Sequence, residues 1–188
     1  MKNKEYLAIF DMDGTLFDTN KTNFLAYRDA ILEITGLKIK YSNYRLFFIG
    51  RDYKKALPLL LGKISMTNIN KIHLLKKKYY KKYLTHTKPN SHLIKIIENI
   101  QNVYIIALAT TASKVNTFDL LNFFQLQHLF NIIVTKDDVK KLKPNPECYL
   151  KIIKLCKLKP NKTIIFEDSI IGLKAAVLTK SSVVKIAQ

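Results

Sequence analysis

The stretch Tyr6–Thr19, YLAIFDMDGTLFDT, sets Asp11, Asp13 and Asp18 within eight positions, directly after an apolar run. A carboxylate at the carboxyl end of a central strand stands where open α/β sheets bind ligands, and Gly14 lets the chain turn sharply just beyond it. Alternating there, Asp11 and Asp13 can divide two tasks, one attacking as a nucleophile and the other giving and taking a proton, as acyl-phosphate chemistry requires. Taken alone, the cluster is equally a turn or cap of the kind Asp-Gly forms. It is also an acidic island in a chain with 32 basic and 14 acidic residues, and it calls for a positive charge nearby.

Three later segments each follow an apolar run with a residue type that the same chemistry uses. ALATTASK offers Thr110 or Thr111 as a hydroxyl donor to an anionic oxygen, although a Thr there also serves as a plain cap. KKLKPNPECY offers Lys143, which Pro144 biases toward an extended backbone and so toward the sheet edge. IIFEDSIIGLKAA offers Glu167 and Asp168, a pair that could also cap the next helix, with Gly172 letting that helix pack closely. The tandem Asp137-Asp138 reads as a turn cap that could lend a further carboxylate.

These residues need a sheet to hold them, and the hydrophobic pattern supplies one. Five β-branched-rich runs, Tyr6–Phe10, Val103–Thr110, Asn131–Thr135, Thr163–Phe166 and Ser182–Ile186, are continuous rather than alternating, as strands covered on both faces are. Helical spacing over Val115–Phe124, Pro146–Cys156 and Ile170–Leu178 alternates with the last four, which predicts a parallel α/β sheet. Asn145, Pro146 and Glu147 read as N-cap, first-turn proline and dipole-favoured acid of one helix. Between the first two strands, Thr22–Ile34, Tyr53–Leu61 and Ile69–Leu84 have helical character, broken by Gly36, Gly50 and Gly62 and ended near Lys88-Pro89-Asn90; Ser91–Ile100 then leads back into the sheet. The expected organisation is a core of 1–19 and 88–188 interrupted by a helical insertion over 20–87.

Composition bounds the rest. With 188 residues, 48% of them hydrophobic, the chain can bury one core plus a small insertion. Its net charge of +18 permits a polyanion or a phosphorylated small molecule as partner, but the lysines are scattered and no nucleic-acid recognition motif accompanies them. KKKYYKKY (Lys76–Tyr83) interleaves base and aromatic as single-strand binders do; on a helix, Leu74, Leu75, Tyr79, Tyr83 and Leu84 can instead form a buried or half-buried stripe with the lysines in water. Cys148 and Cys156 read as free thiols on one helix, and His73, His86, His92 and His128 lack ligand spacing. No apolar run approaches the roughly 20 residues that span a bilayer, and the start lacks a signal-peptide core, so a soluble cytoplasmic protein is expected; the oligomeric state stays open, with a monomer as the guess.

The four motifs in order resemble those of the haloacid dehalogenase-like hydrolase superfamily, the aspartate-nucleophile phosphohydrolases. The tail LFDT and the place of the insertion are similar to the subgroup of phosphoglycolate phosphatases and β-phosphoglucomutases, whose members carry a helical cap there. The resemblance implies a Rossmann-like parallel sheet flanked by helices, with a small helical cap domain. It implies that Asp11 attacks phosphorus and becomes an aspartyl phosphate, while Asp13 protonates the leaving oxygen and then activates water. It implies Mg²⁺ held by Asp11, the Asp13 carbonyl and Asp168, with Glu167 on or just behind the ion. Lys143 would neutralise Asp11 and the phosphoryl group, Thr110 would bind a phosphoryl oxygen with Thr111 as the alternative, and backbone around Gly14 and Thr15 would add donors. Arg51, with Lys54 and Lys55 behind it, falls near the place from which mutases and some phosphatases reach the phosphate; it also reads as a surface arginine. An acid at Asp13 favours phosphatase or mutase over dehalogenase or transport ATPase.

The expected activity is hydrolysis of a small phosphorylated metabolite. The rival readings are a sugar-phosphate mutase and a basic binding module on the same fold. One departure concerns the end of the chain, where AAVLTKSSVVKIAQ lacks an Ala-Gly-Met turn and predicts a shortened last strand.

Overall fold

The computed structural model describes residues 4–187; positions 1–3 and 188, which close the expected core ranges, lie outside the described residues. Strands run over Tyr6–Phe10 (β1), Phe17–Asp18 (β2), Lys88–Pro89 (β3), Tyr104–Ala109 (β4), Ile132–Val134 (β5), Thr163–Glu167 (β6) and Ser182–Lys185 (β7). Helices span Asn20–Thr35 (α1), Tyr41–Phe48 (α2), Tyr53–Leu61 (α3), Met66–Tyr80 (α4), Ser91–Ile100 (α5), Lys114–Phe123 (α6), Glu147–Leu155 (α7) and Ile170–Val177 (α8). The chain divides into two units, one made of residues up to Asp18 and from Lys88 onward, the other of Thr19–Thr87.

In the first unit a five-stranded sheet has the order β5-β4-β1-β6-β7, and all its pairings are parallel. Central β1 keeps Leu7, Ala8, Ile9 and Phe10 wholly from solvent, which explains its uninterrupted apolar run. On one face Leu7, Ile9, Ile105, Ala107 and Ile165 pack with Tyr149, Ile152 and Ile153 of α7 and Ala175 and Ala176 of α8. Successive side chains alternate, so Ala8, Phe10, Ile106 and Leu108 point to the opposite face; Phe10 stacks on Phe166 there at 4.4 Å between ring centroids. The expected parallel sheet flanked by helices is therefore the observed one, and β7 is four residues long.

Two short strands were not legible in the sequence. β2 and β3 pair antiparallel where the chain leaves and re-enters this unit, Phe17 opposite Pro89 and Asp18 opposite Lys88. Two-residue strands carry no periodicity, and a Lys-Pro dipeptide reads as a breaker. The start of α7 also differs. Asn145 Oδ1 does accept the Glu147 N–H at 3.0 Å, but the helix begins at Glu147, one position later than expected.

The second unit is helical. Its core gathers Phe24, Tyr27, Ala30 and Ile31 of α1, Tyr44 and Phe48 of α2, Ala56 and Leu57 of α3, and Ile69 and Ile72 of α4. Asp52 caps α3 by accepting from Lys54 N at 2.8 Å, and Ser65 caps α4 by accepting from Asn68 N at 3.2 Å. Helix α2 was missed because its two turns, YSNYRLFF, are too short and aromatic to show a helical period. The expected single helix over Ile69–Leu84 is α4 followed by a 3₁₀ segment, Lys81–His86.

The lysine-rich helix keeps Leu75, Tyr79, Tyr83 and Leu84 of the expected stripe buried or half-buried but corrects it at Leu74 and Lys76. Ile69 and Ile72 fix the phase of α4, and the next positions inward are Lys76 and Tyr80, both buried, whereas Leu74 is 68% exposed. The Lys76 ammonium lies 4.6 Å from the Tyr80 ring centroid and 5.4 Å from that of Tyr27, so aromatic faces replace part of its hydration. Tyr79 and Tyr83, half-buried, donate instead to Glu33 and Asp29. Among the described residues no helix is long and apolar enough to cross a membrane.

Candidate active site

Parallel register brings the four motifs to one edge of the sheet. Phe10 pairs with Leu108 on one side and with Phe166 on the other, so the next residue, Asp11, is level with Ala109 and Glu167. The ladder continues one step past the strands, with Asp11 N donating to Phe166 O and Thr110 N to Val134 O, both at 3.0 Å. The loop then folds back on itself: Leu16 N and Phe17 N both donate to Met12 O, and Gly14 N to Phe17 O. Gly14 sits at φ 94°, a left-handed conformation open to glycine without a Cβ penalty.

Lys143 reaches this edge from the loop between β5 and α7. Both Glu147 carboxylate oxygens clamp that loop, accepting from Lys140 N at 2.8 Å and Lys141 N at 2.9 Å, and the Lys143–Pro144 peptide is cis. The ammonium has three N–H groups and three acceptors: Asp11 Oδ1 at 2.5 Å, Glu167 Oε2 at 2.8 Å and Ala109 O at 3.1 Å. Glu167 is more heavily engaged still. Its Oε2 also accepts from Tyr149 OH at 2.5 Å, and its Oε1 accepts from Asp168 N, Ser169 N and Ser169 Oγ at 2.9–3.1 Å. Removing one member of such a buried ion pair leaves the other uncompensated, at a cost of about 3–5 kcal/mol.

The electrostatics follow from two buried carboxylates facing one buried ammonium. Burial would push Lys143 down, but Asp11, Tyr149 and Glu167 outweigh it and hold the ammonium above the usual lysine range. Burial would likewise raise Glu167, yet Lys143 and the hydrogen bonds to its oxygens keep it below the usual range. Asp11 is left with the deficit: burial, with repulsion from Glu167 and Asp13, raises it well above the ordinary value despite Lys143.

Carboxylate oxygens of Asp11, Glu167 and Asp168 all lie within 4.8 Å of one another. An all-oxygen donor set short of positive charge suits a hard divalent cation. Within this set Glu167 is the most heavily hydrogen-bonded, accepting five hydrogen bonds. Thr15 Oγ1 donates to Asp168 Oδ1 at 2.8 Å and so orients it.

The structure brings Asp11, Asp13, Gly14, Thr15, Thr110, Lys143, Glu167 and Asp168 together. Thr110 is buried, with its hydroxyl 3.5 Å from Asp13 Oδ2 and accepting from Ala112 N at 3.0 Å, while Thr111 is exposed. Arg51 belongs to the helical unit, where it is exposed and donates to Leu46 O at 2.6 Å; Lys54 and Lys55 there are exposed too. Asp137 and Asp138 are both caps: Asp137 accepts from Lys114 N at the start of α6, and Asp138 from the N–H and hydroxyl of Thr135.

Two contributors escaped the sequence reading. Tyr149 carried one signal, a phenol on the apolar face of α7 that needs a buried partner for its hydroxyl. Asn90 appeared only as a breaker, yet its N–H donates to Leu16 O at 2.8 Å, its Nδ2 to Thr15 O at 3.3 Å, and its Oδ1 accepts from Leu93 N at the head of α5.

Comparison with known proteins adds an independent line. Residues 8–186 match the sequence profile of the family described as haloacid dehalogenase-like hydrolase. A phosphorylated carbohydrates phosphatase of Thermotoga maritima is 33% identical over 175 residues, covering 90% of this chain and 79% of the relative. A fructose-1-phosphate phosphatase of Escherichia coli is 25% identical over 170 residues, covering 89% of each. Among solved structures, a HAD hydrolase of Entamoeba histolytica superposes with a TM-score of 0.83 at 25% identity, over 97% of this chain and 84% of that one.

Proposed function

Because the chain belongs to the haloacid dehalogenase-like hydrolase family, we propose that it is a Mg²⁺-dependent phosphatase acting on a small phosphate monoester through an aspartyl phosphate at Asp11. The observation that carries this reading is the meeting of Asp11, Lys143 and Asp168, distant in sequence, at one sheet edge. The names of the relatives point to a phosphorylated sugar as the substrate class.

Asp11 Oδ is the attacking atom. It forms the O–P bond as the ester O–P bond breaks, and Asp13 passes its proton to the departing alcohol oxygen. Asp13, now a carboxylate, takes a proton from water, whose oxygen attacks the phosphorus of the aspartyl phosphate and returns Asp11 and inorganic phosphate. The three hydrogen bonds of Lys143 place its charge beside Asp11 Oδ1, where it faces the equatorial oxygens of the transferring group. Thr110 Oγ1 and backbone N–H groups of the turn that Gly14 makes possible, at and around Thr15, add donors for the same oxygens. A Mg²⁺ ion held by the carboxylates of Asp11 and Asp168 and the Asp13 carbonyl would supply the positive charge that lets an anionic nucleophile approach an anionic phosphoryl group. The helical residues 20–87 act in this reading as a cap that excludes bulk water and selects the substrate.

The test is phosphate release from an aryl phosphate and from a panel of sugar phosphates with Mg²⁺ present. Turnover is expected for the wild type and is lost in Asp11→Asn and on chelation of the metal. Substantial turnover by the Asn variant would sink the nucleophile assignment, and isomerised sugar phosphate without net phosphate release would replace hydrolase by mutase.

A further inference from the structure

Tyr149 touches both charged groups that stand behind Asp11. Its hydroxyl donates to Glu167 Oε2 at 2.5 Å, and the Lys143 ammonium lies 4.8 Å from its ring centroid. The ammonium is thereby suspended between two buried carboxylates, at 2.5 Å from Asp11 Oδ1 and 2.8 Å from Glu167 Oε2. Which of the two draws it more strongly decides how much positive charge faces a group on Asp11.

The phenol is not needed to fill space or to orient Glu167. A phenylalanine would pack equally well among Ile152, Ile153 and Cys148, and a hydroxyl in an apolar cluster is a liability unless it is partnered. The carboxylate is already fixed by three donors on its other oxygen, Asp168 N, Ser169 N and Ser169 Oγ. What the Tyr149 hydroxyl adds is a short bond to the carboxylate oxygen that competes with Asp11 for Lys143. We propose that Tyr149 is a positioning residue: by hydrogen-bonding Glu167 Oε2 it weakens that carboxylate as a rival and keeps the Lys143 ammonium on Asp11. This rests on the phosphatase reading for its effect on turnover, but the placement of the ammonium is a property of the resting protein.

Tyr149→Phe deletes the hydroxyl and keeps the ring. It is expected to lower kcat on an aryl phosphate about tenfold, the scale of one lost hydrogen bond to a charged group, with KM changed much less. In metal-free protein, the ¹⁵N resonance of Lys143 Nζ, assigned by its absence in Lys143→Arg, shifts in Tyr149→Phe as the ammonium moves toward Glu167. In a Glu167→Gln background the rival charge is gone, so adding Tyr149→Phe costs no further kcat. An unchanged kcat and Lys143 resonance in a Tyr149→Phe protein of reduced thermal stability overturns the proposal, as do losses that multiply in the double variant. A wild type without turnover on any phosphate ester would instead defeat the phosphatase reading, and the resonance alone would then decide the role of Tyr149.

Discussion

Asp11 and Glu167 at the sheet edge share the Lys143 ammonium, and the other donors to each acid set them apart. Glu167 accepts five hydrogen bonds, one of them from the Lys143 ammonium. Asp168 is oriented by Thr15, whose side chain is almost wholly buried, so its hydroxyl serves a neighbour in the resting protein. Thr15→Val keeps the shape and removes that bond. The variant is expected to need about 10–100-fold more Mg²⁺ for half-maximal activity, with a smaller change in rate at saturating metal, as a metal titration of turnover will measure.

At the scale of elements, the site depends on how two loops and one helix start. Helix α8 begins over Glu167 so closely that a Cβ on Gly172 would stand 2.0 Å from Glu167 Oε2. Gly172→Ala must displace the carboxylate or the helix. It is expected to cost about 2–3 kcal/mol, read from urea denaturation, together with most of the activity. The turn after β5 depends on Asp138. Burial acts to raise this carboxyl, but bonds from the N–H and hydroxyl of Thr135, aided by Lys151 and Lys114, hold it below the ordinary Asp value of 3.8. A depressed folded value means that the stabilisation is complete above the unfolded value and fades as pH falls through the folded one. Asp138→Ala is therefore expected to cost about 1 kcal/mol at neutral pH, the worth of a cap, with the difference shrinking as pH drops below 3.8. Denaturation curves at neutral and strongly acid pH will test the sign.

For the molecule as a whole, charge is the dominant quantity. Fifteen of the 32 basic residues but three of the 14 acidic ones fall within residues 19–87. Apart from Lys76, Lys77 and Arg28, the basic side chains of that unit are exposed. If the substrate is the proposed phosphate ester, a net charge of +18 steers that dianion toward the protein over distances that salt shortens to a Debye length of about 8 Å at physiological ionic strength. Raising ionic strength from about 10 mM to that level should lower kcat/KM several-fold while leaving kcat nearly constant. An equal fall in both would place the salt effect inside the site instead.

Continuous apolar runs bounded by turn residues were enough to locate five strands and their parallel pairing, because burial on both faces leaves a composition signature that does not depend on partners. The acid and hydroxyl groups of the site were legible for the same reason: each stands at the end of such a run, and a parallel sheet gathers strand ends at one edge; Lys143, in the loop after β5, was marked by the proline that follows it. Short pieces were not legible, since β2, β3 and α2 are too brief for any period to emerge. The phase of α4 was also hidden, for only packing against α1 turns Lys76 inward and Leu74 out. Nor could sequence assign roles that depend on who reaches whom: Thr15 to Asp168, Tyr149 to Glu167, and Asn90 to the turn at Thr15 are distances between remote residues. Those distances exist only once the chain is folded, and they decide which side chain steadies which carboxylate.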